Sequence, residues 1–208
     1  MCWVRRASIP LASMNIAACD NVQAMKHPPA FGIWLTGLPA SGKSTIVLAL
    51  RPQLEALGLT VDVLESDEVR RLLTPQPTYS PEERDLFYRA LAFSGQRLVA
   101  HGVTVVFDAT ASRQVYRDLA RGMIPRFIEV AVECPIAVCM ERDRKGTYEK
   151  GLRGESLTVP GLQTPYESPA KPDLRIDTTK VSAQEAAHQI SDIVRASLRH
   201  SDGGKRRD

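Results

Sequence analysis

Five short apolar runs rich in β-branched residues punctuate the chain at 31–36, 61–65, 103–107, 127–133 and 174–176, and longer stretches with helical spacing separate them. Short runs alternating with helix-period segments predict a parallel sheet covered by helices on both faces, an α/β three-layer sandwich with five strands. In such a fold ligands collect at the carboxyl ends of the strands. The clearest helix start is Ser80-Pro81-Glu82-Glu83. It offers an N-cap serine, proline at the first helical position and a capping-box glutamate, and the pattern predicts a helix running to about His101. A last helix is expected over about 183–198, with Ala186, Ile190, Ile193 and Val194 on one face. Residues 143–172 lack sustained periodicity and are rich in Gly, Pro and Thr, which predicts an ordered loop or lid.

The first apolar run leads directly into Gly37-Leu38-Pro39-Ala40-Ser41-Gly42-Lys43-Ser44, with Thr45 next and a helical pattern beyond. This spacing between a strand and a helix is a phosphate-binding loop. The glycines let backbone N–H groups wrap a polyphosphate, Lys43 adds charge near the β- and γ-phosphates, and Ser44 offers a hydroxyl to Mg²⁺. The motif predicts a P-loop kinase fold that uses ATP and Mg²⁺.

Composition narrows the partners. With 208 residues, 43% hydrophobic and 25% charged, one sizeable core is expected, over residues 29–200, with the lid inside it. Residues 1–28 are expected to be a disordered extension or a start assigned too early, with Met25 as the true start, and 201–208 a disordered tail. The formal net charge is only +3, and no long basic stripe runs along the chain, so nucleic acid is not the expected partner. A cluster at Arg142, Arg144, Lys145, Lys150 and Arg153 suits a small polyanion. Cys2, Cys19, Cys134 and Cys139 form no metal-ligand spacing and read as reduced thiols. Arg5-Arg6 followed by Ile16-Ala17-Ala18-Cys19 imitates a lipoprotein signal, but Pro10, Ser13 and Asn15 interrupt its apolar stretch. No membrane partner and a cytoplasmic location are expected.

Two carboxylates stand at strand ends. Asp67, in Glu65-Ser66-Asp67-Glu68-Val69-Arg70, follows the second strand, where a P-loop kinase faces its acceptor. It is the candidate to take or orient the proton of an attacking hydroxyl, with Arg70 three residues on along the same helix. A plain N-cap role for Asp67 is the competing reading. Asp108 closes the third strand and is a candidate for the Mg²⁺ shell or a substrate hydroxyl, against a plain capping role. Arg142, at the start of the lid, is a candidate to neutralise charge on the transferring phosphoryl group.

From residue 31 to about 179 the order of motifs resembles the adenylylsulfate (APS) kinase family. The matching text is Trp34-Leu35-Thr36-Gly37-Leu38-Pro39, Asp67-x-x-Arg70, Tyr79-Ser80-Pro81-Glu82-Glu83-Arg84, and Arg142-Asp143-x-Lys145-Gly146-x-Tyr148 through Gly154-Glu155 to Pro165-Tyr166-Glu167. The resemblance implies transfer of the ATP γ-phosphate to the 3′-hydroxyl of adenosine 5′-phosphosulfate, with Asp67 as catalytic aspartate. It further implies that Arg70, Arg84 and Lys145 contact the nucleotide substrate, that Tyr79 stacks on its adenine, and that the chain forms a homodimer.

The departures gather on the acceptor side. The family's Asp-Gly-Asp reads Glu65-Ser66-Asp67, and Phe87 replaces an asparagine three residues after Arg84. The Phe-Ile-Ser-Pro segment reads Ala109-Thr110-Ala111-Ser112, and Lys-Gly-Phe-Thr-Gly reads Leu157-Thr158-Val159-Pro160-Gly161, without its lysine and second stacking ring. Phe87 is expected to restore some stacking from another direction. The alternatives to an APS kinase are a related kinase of another nucleotide or sugar alcohol, such as cytidine diphosphoramidate, and a non-catalytic nucleotide-binding module.

Overall fold

Strand β1 (Gly32–Thr36) lies at the centre of the sheet with every residue buried, because both of its faces are covered. It pairs in parallel with β3 (Val103–Asp108) on one side and β4 (Phe127–Glu133) on the other. Beyond these lie β2 (Thr60–Glu65) and β5 (Leu174–Asp177), giving the order β2-β3-β1-β4-β5. This computed structural model describes residues 29–203. The extension expected over 1–28, Cys2 and Cys19, and residues 204–208 lie outside the described residues.

The two-residue period of β1 divides the core. Ile33 and Leu35 point to one face, under α1 (Lys43–Glu55) and α7 (Ala183–Gly203), where they meet Ile46, Leu50, Ile190 and Val194. Trp34 points to the other, under α3 (Pro81–Ala100) and α4 (Gln114–Met123), where it stacks on Phe107 at 4.5 Å between ring centroids. Each fully buried large apolar side chain contributes roughly 1.5–3 kcal/mol. Gly95 lets α3 approach β3, since a Cβ there would lie 2.1 Å from Phe107 Cζ. Helix α7 runs to Gly203, past the expected end near residue 198 and three residues into the expected tail.

Helix α3 begins as its sequence predicts, with Ser80 Oγ accepting from the Glu83 N–H at 3.2 Å. Glu83 does not close the expected capping box. Its carboxylate accepts instead from the Thr78 N–H and hydroxyl, each at 2.6 Å, and from Arg70 at 3.1 Å. The same carboxylate accepts from the N–H of Tyr79, a non-glycine residue with φ of +54°. A short helix α2 (Ser66–Leu73) follows β2. After β4 come α5 (Ile136–Glu141) and α6 (Thr147–Leu152), and the rest of 143–172 is irregular but packed.

Candidate functional site

The loop from Gly37 to Ser44 joins β1 to α1 at the carboxyl edge of the sheet, on the floor of a cleft of about 1770 Å³. Gly37 is obligatory there, because a Cβ would lie 2.4 Å from the Val132 carbonyl oxygen. Gly42 precedes α1 in a left-handed conformation, with no side-chain cap and no acidic residue in the first turn. The positive end of the helix dipole therefore faces the cleft uncompensated, ready for an anion. Lys43 Nζ donates to the carbonyls of Gly37 at 3.0 Å and Leu38 at 2.8 Å. Burial lowers the Lys43 pKa, and the nearby Asp108 carboxylate opposes that shift.

Asp108 does not spend its carboxylate on capping a helix. It stands near Lys43 and Ser44; burial raises its pKa, while the Lys43 charge and the Ser44 hydroxyl pull it down. A hydroxyl and a carboxylate meeting beside a phosphate loop suit Mg²⁺, which binds through one or two protein oxygens plus phosphates and water.

Asp67 lies in the first turn of α2, and its carboxylate makes no cap. It receives Lys145 Nζ at 2.7 Å, and the same ammonium reaches Glu65 Oε1 at 3.3 Å. Donating to the Asp67 carboxylate raises the Lys145 pKa. The 143–172 segment is anchored over the phosphate loop as well, where the Tyr148 hydroxyl donates to the Pro39 carbonyl at 3.1 Å.

Where α2 meets α3, Arg70 is buried and paired with Glu83, and its guanidinium lies 3.8 Å above the Phe87 ring centroid and 5.0 Å from that of Tyr79. Arg84 donates to the Tyr79 carbonyl at 3.1 Å and to the Thr158 carbonyl at 2.9 Å, tying α3 to the 143–172 segment. The expectation for Phe87 is corrected. Its ring is 2% exposed, packed in the core beneath Arg70, and serves as a platform for the guanidinium rather than as a stacking surface. Val159 also faces inward, against Cys139 and Tyr148, whereas Leu157 is 74% exposed at the cleft.

Arg142 lines the cleft and also holds the chain just after β5. It donates to the Thr178 hydroxyl at 3.1 Å and carbonyl at 3.3 Å, and Thr178 in turn donates to the Ser41 carbonyl at 2.9 Å. Arg142 thus ties the cleft edge to Thr178, and the cation that meets Asp67 is Lys145.

Residues 29–177 match the family model described as adenylylsulphate kinase. The chain belongs to the adenylylsulphate kinase family. It is 38% identical over 166 residues to a probable adenylyl-sulfate kinase of Pseudomonas aeruginosa, covering 80% of this chain and 78% of that one. It is 38% identical over 158 residues to the adenylyl-sulfate kinase of Microcystis aeruginosa, covering 76% and 87%. The structure of the Mycobacterium tuberculosis APS kinase CysC in complex with AMPPNP and APS superposes with a TM-score of 0.76 and 31% identity, covering 81% of this chain and 99% of that one.

Tyr88 and Arg117 are ordinary helix residues by pattern and carry no local signal in the sequence, whereas Tyr166 stands in the Pro165-Tyr166-Glu167 text quoted above. All three hydrogen-bond to the loop region that flanks Asp108 or to the end of β1. Among the described residues no helix is long and apolar enough to cross a membrane.

Proposed function

We propose that the protein transfers the γ-phosphate of ATP to the 3′-hydroxyl of adenosine 5′-phosphosulfate, giving ADP and the 3′-phosphorylated product. The observation that carries this reading is the meeting of Asp67 and Lys145 in the same cleft as the phosphate loop. Asp67 accepts the proton of the attacking hydroxyl as the new P–O bond forms, and the bond from the γ-phosphorus to the bridging oxygen of ADP breaks. Lys43 and the amides opening α1 hold the phosphates, and Lys145 offsets charge beside the reacting hydroxyl. Ser44 and Asp108 would hold Mg²⁺, which would supply charge neutralisation on the phosphates.

Tyr79 presents its ring, and Arg70 and Arg84 their guanidinium groups, to the nucleotide acceptor. Closure of 143–172 as a lid excludes water and so suppresses ATP hydrolysis. The proposal extends to a cytoplasmic location and to self-association as a homodimer; a relative of known structure, from Thiobacillus denitrificans, is a hexameric APS kinase.

A second reading, a kinase for another nucleotide or sugar alcohol, draws on Leu157 and Val159, which leave the acceptor side one lysine and one aromatic ring short of the family pattern. Product identification separates the two. Incubation with MgATP and APS gives ADP and a 3′-phosphorylated nucleotide on the first reading; no such product, with another hydroxyl compound phosphorylated, would transfer the conclusion to the second.

A further inference from the structure

Segment 109–112, where β3 leaves the sheet, is held mainly by side chains. The Trp34 indole N–H donates to the Ala109 carbonyl at 3.0 Å, and the Thr36 hydroxyl donates to the Thr110 carbonyl at 2.5 Å. Ala111 is tied at both ends: its N–H donates to the Tyr88 hydroxyl at 3.0 Å, and its carbonyl accepts from Arg117 Nη1. Ala111 has φ of +41°, a left-handed conformation that an alanine adopts only when its surroundings impose it.

Arg117 is fully buried, and its planar fork is used in every direction. Nε donates to Glu129 at 2.7 Å, Nη1 to Ala111, and Nη2 to the Gln114 side chain and the Glu167 carbonyl, both at 2.6 Å. A buried ion pair by itself is weak evidence of stabilisation, since packed apolar groups replace such pairs at little loss. What apolar groups cannot replace is a rigid set of donors aimed at two loop carbonyls at once. Those carbonyls belong to segments that flank the cleft: Asp108 and Thr110 line it, and Tyr166, next to Glu167, brings its hydroxyl to 3.0 Å from Thr36 Oγ1.

We propose that Arg117 and Tyr88 are positioning residues for phosphoryl transfer. Between them they hold Ala111 in its left-handed conformation, and so fix Asp108 and Thr110 against the cleft. The inference rests on the phosphotransfer reading above for its kinetic arm only. Its structural arm stands without it.

The test compares full-length wild type with Arg117→Lys and Tyr88→Phe. Arg117→Lys keeps a charge for Glu129, which Arg121 also contacts at 3.1 Å, but loses the fork. Tyr88→Phe removes one hydroxyl and keeps the ring that stacks on Tyr116 at 4.3 Å, so it is the variant expected to fold without difficulty. Hydrogen exchange of the amides in 109–112 is read alongside kcat and both KM values. We expect exchange in 109–112 to rise at least about tenfold, with β1 and α7 unchanged. We also expect kcat to fall at least about tenfold, with KM for MgATP changed less than about twofold.

Exchange that stays at the wild-type level in both variants, or rises equally everywhere, would overturn the proposal. So would local loosening with kcat per folded molecule intact. If wild type itself transfers nothing to APS, the function reading fails, and the exchange pattern still decides whether these residues position the segment.

Discussion

Lys145 Nζ donates to Asp67 Oδ2 across 2.7 Å, although 78 residues separate the two in the chain. The contact fastens the 143–172 segment to the carboxylate proposed as base, and both side chains are 65% exposed. An exposed pair of this kind contributes only about 0–1 kcal/mol to stability. Lys145→Met should therefore leave thermal unfolding nearly unchanged while kcat falls roughly a hundredfold to a thousandfold, the range for loss of one electrostatic donor at a reacting group. A parallel loss of Tm and activity would make the contact structural.

Asp67→Asn preserves size and removes the basic oxygen. Turnover should drop at least about a hundredfold with ATP affinity unchanged, as expected for loss of a general base. Near-normal turnover in this variant would transfer the role to Asp108, which also lines the cleft.

The two acceptor-side departures should behave differently. Leu157 is exposed at the cleft, so Leu157→Lys adds a cation that can reach an anionic acceptor, and KM for APS should fall. Val159 is packed against Cys139 and Tyr148, and one of its methyl carbons would lie 3.1 Å from a Cβ built on Gly151. Val159→Phe should overpack that pocket and cost about 1–3 kcal/mol, seen as a lower Tm, rather than supply a stacking ring.

Asp177 ends β5 and is bonded by Lys180 at 2.7 Å and by the Thr179 hydroxyl and N–H. The bonds from Lys180 and Thr179 lower its pKa from 3.8 to about 2. A depressed carboxyl contributes stability that is fully present above the unfolded value and is lost as pH falls through the folded one. Asp177→Asn should thus lower Tm at neutral pH, and the difference from wild type should close as pH falls from about 4 to about 2.

Short-range chemistry was legible in the sequence. The five strands follow from β-branched runs, the phosphate loop from glycine and lysine spacing, and the Ser80 cap from its local pattern. Contacts that depend on the strand order were not. Arg142 opens the basic cluster and lines the cleft, but its bonds to Thr178 follow only from β5 lying beside β4. Phe87 shares a helix face with Arg84 by spacing, yet Arg70 from α2 covers its ring. Glu83 fits a capping box, but the turn at 78–79 offers it stronger donors than the Ser80 N–H. Arg117 and Glu129 carried no signal, since a buried ion pair is indistinguishable in sequence from two solvated charges.

A coupled ADP-release assay of the purified protein with MgATP, run with APS, without acceptor, and with cytidine nucleotides and sugars, reads the acceptor directly. Turnover is expected to depend on APS and to stay near background with the others. Background ADP release with APS, beside sustained release with another hydroxyl acceptor, would contradict it.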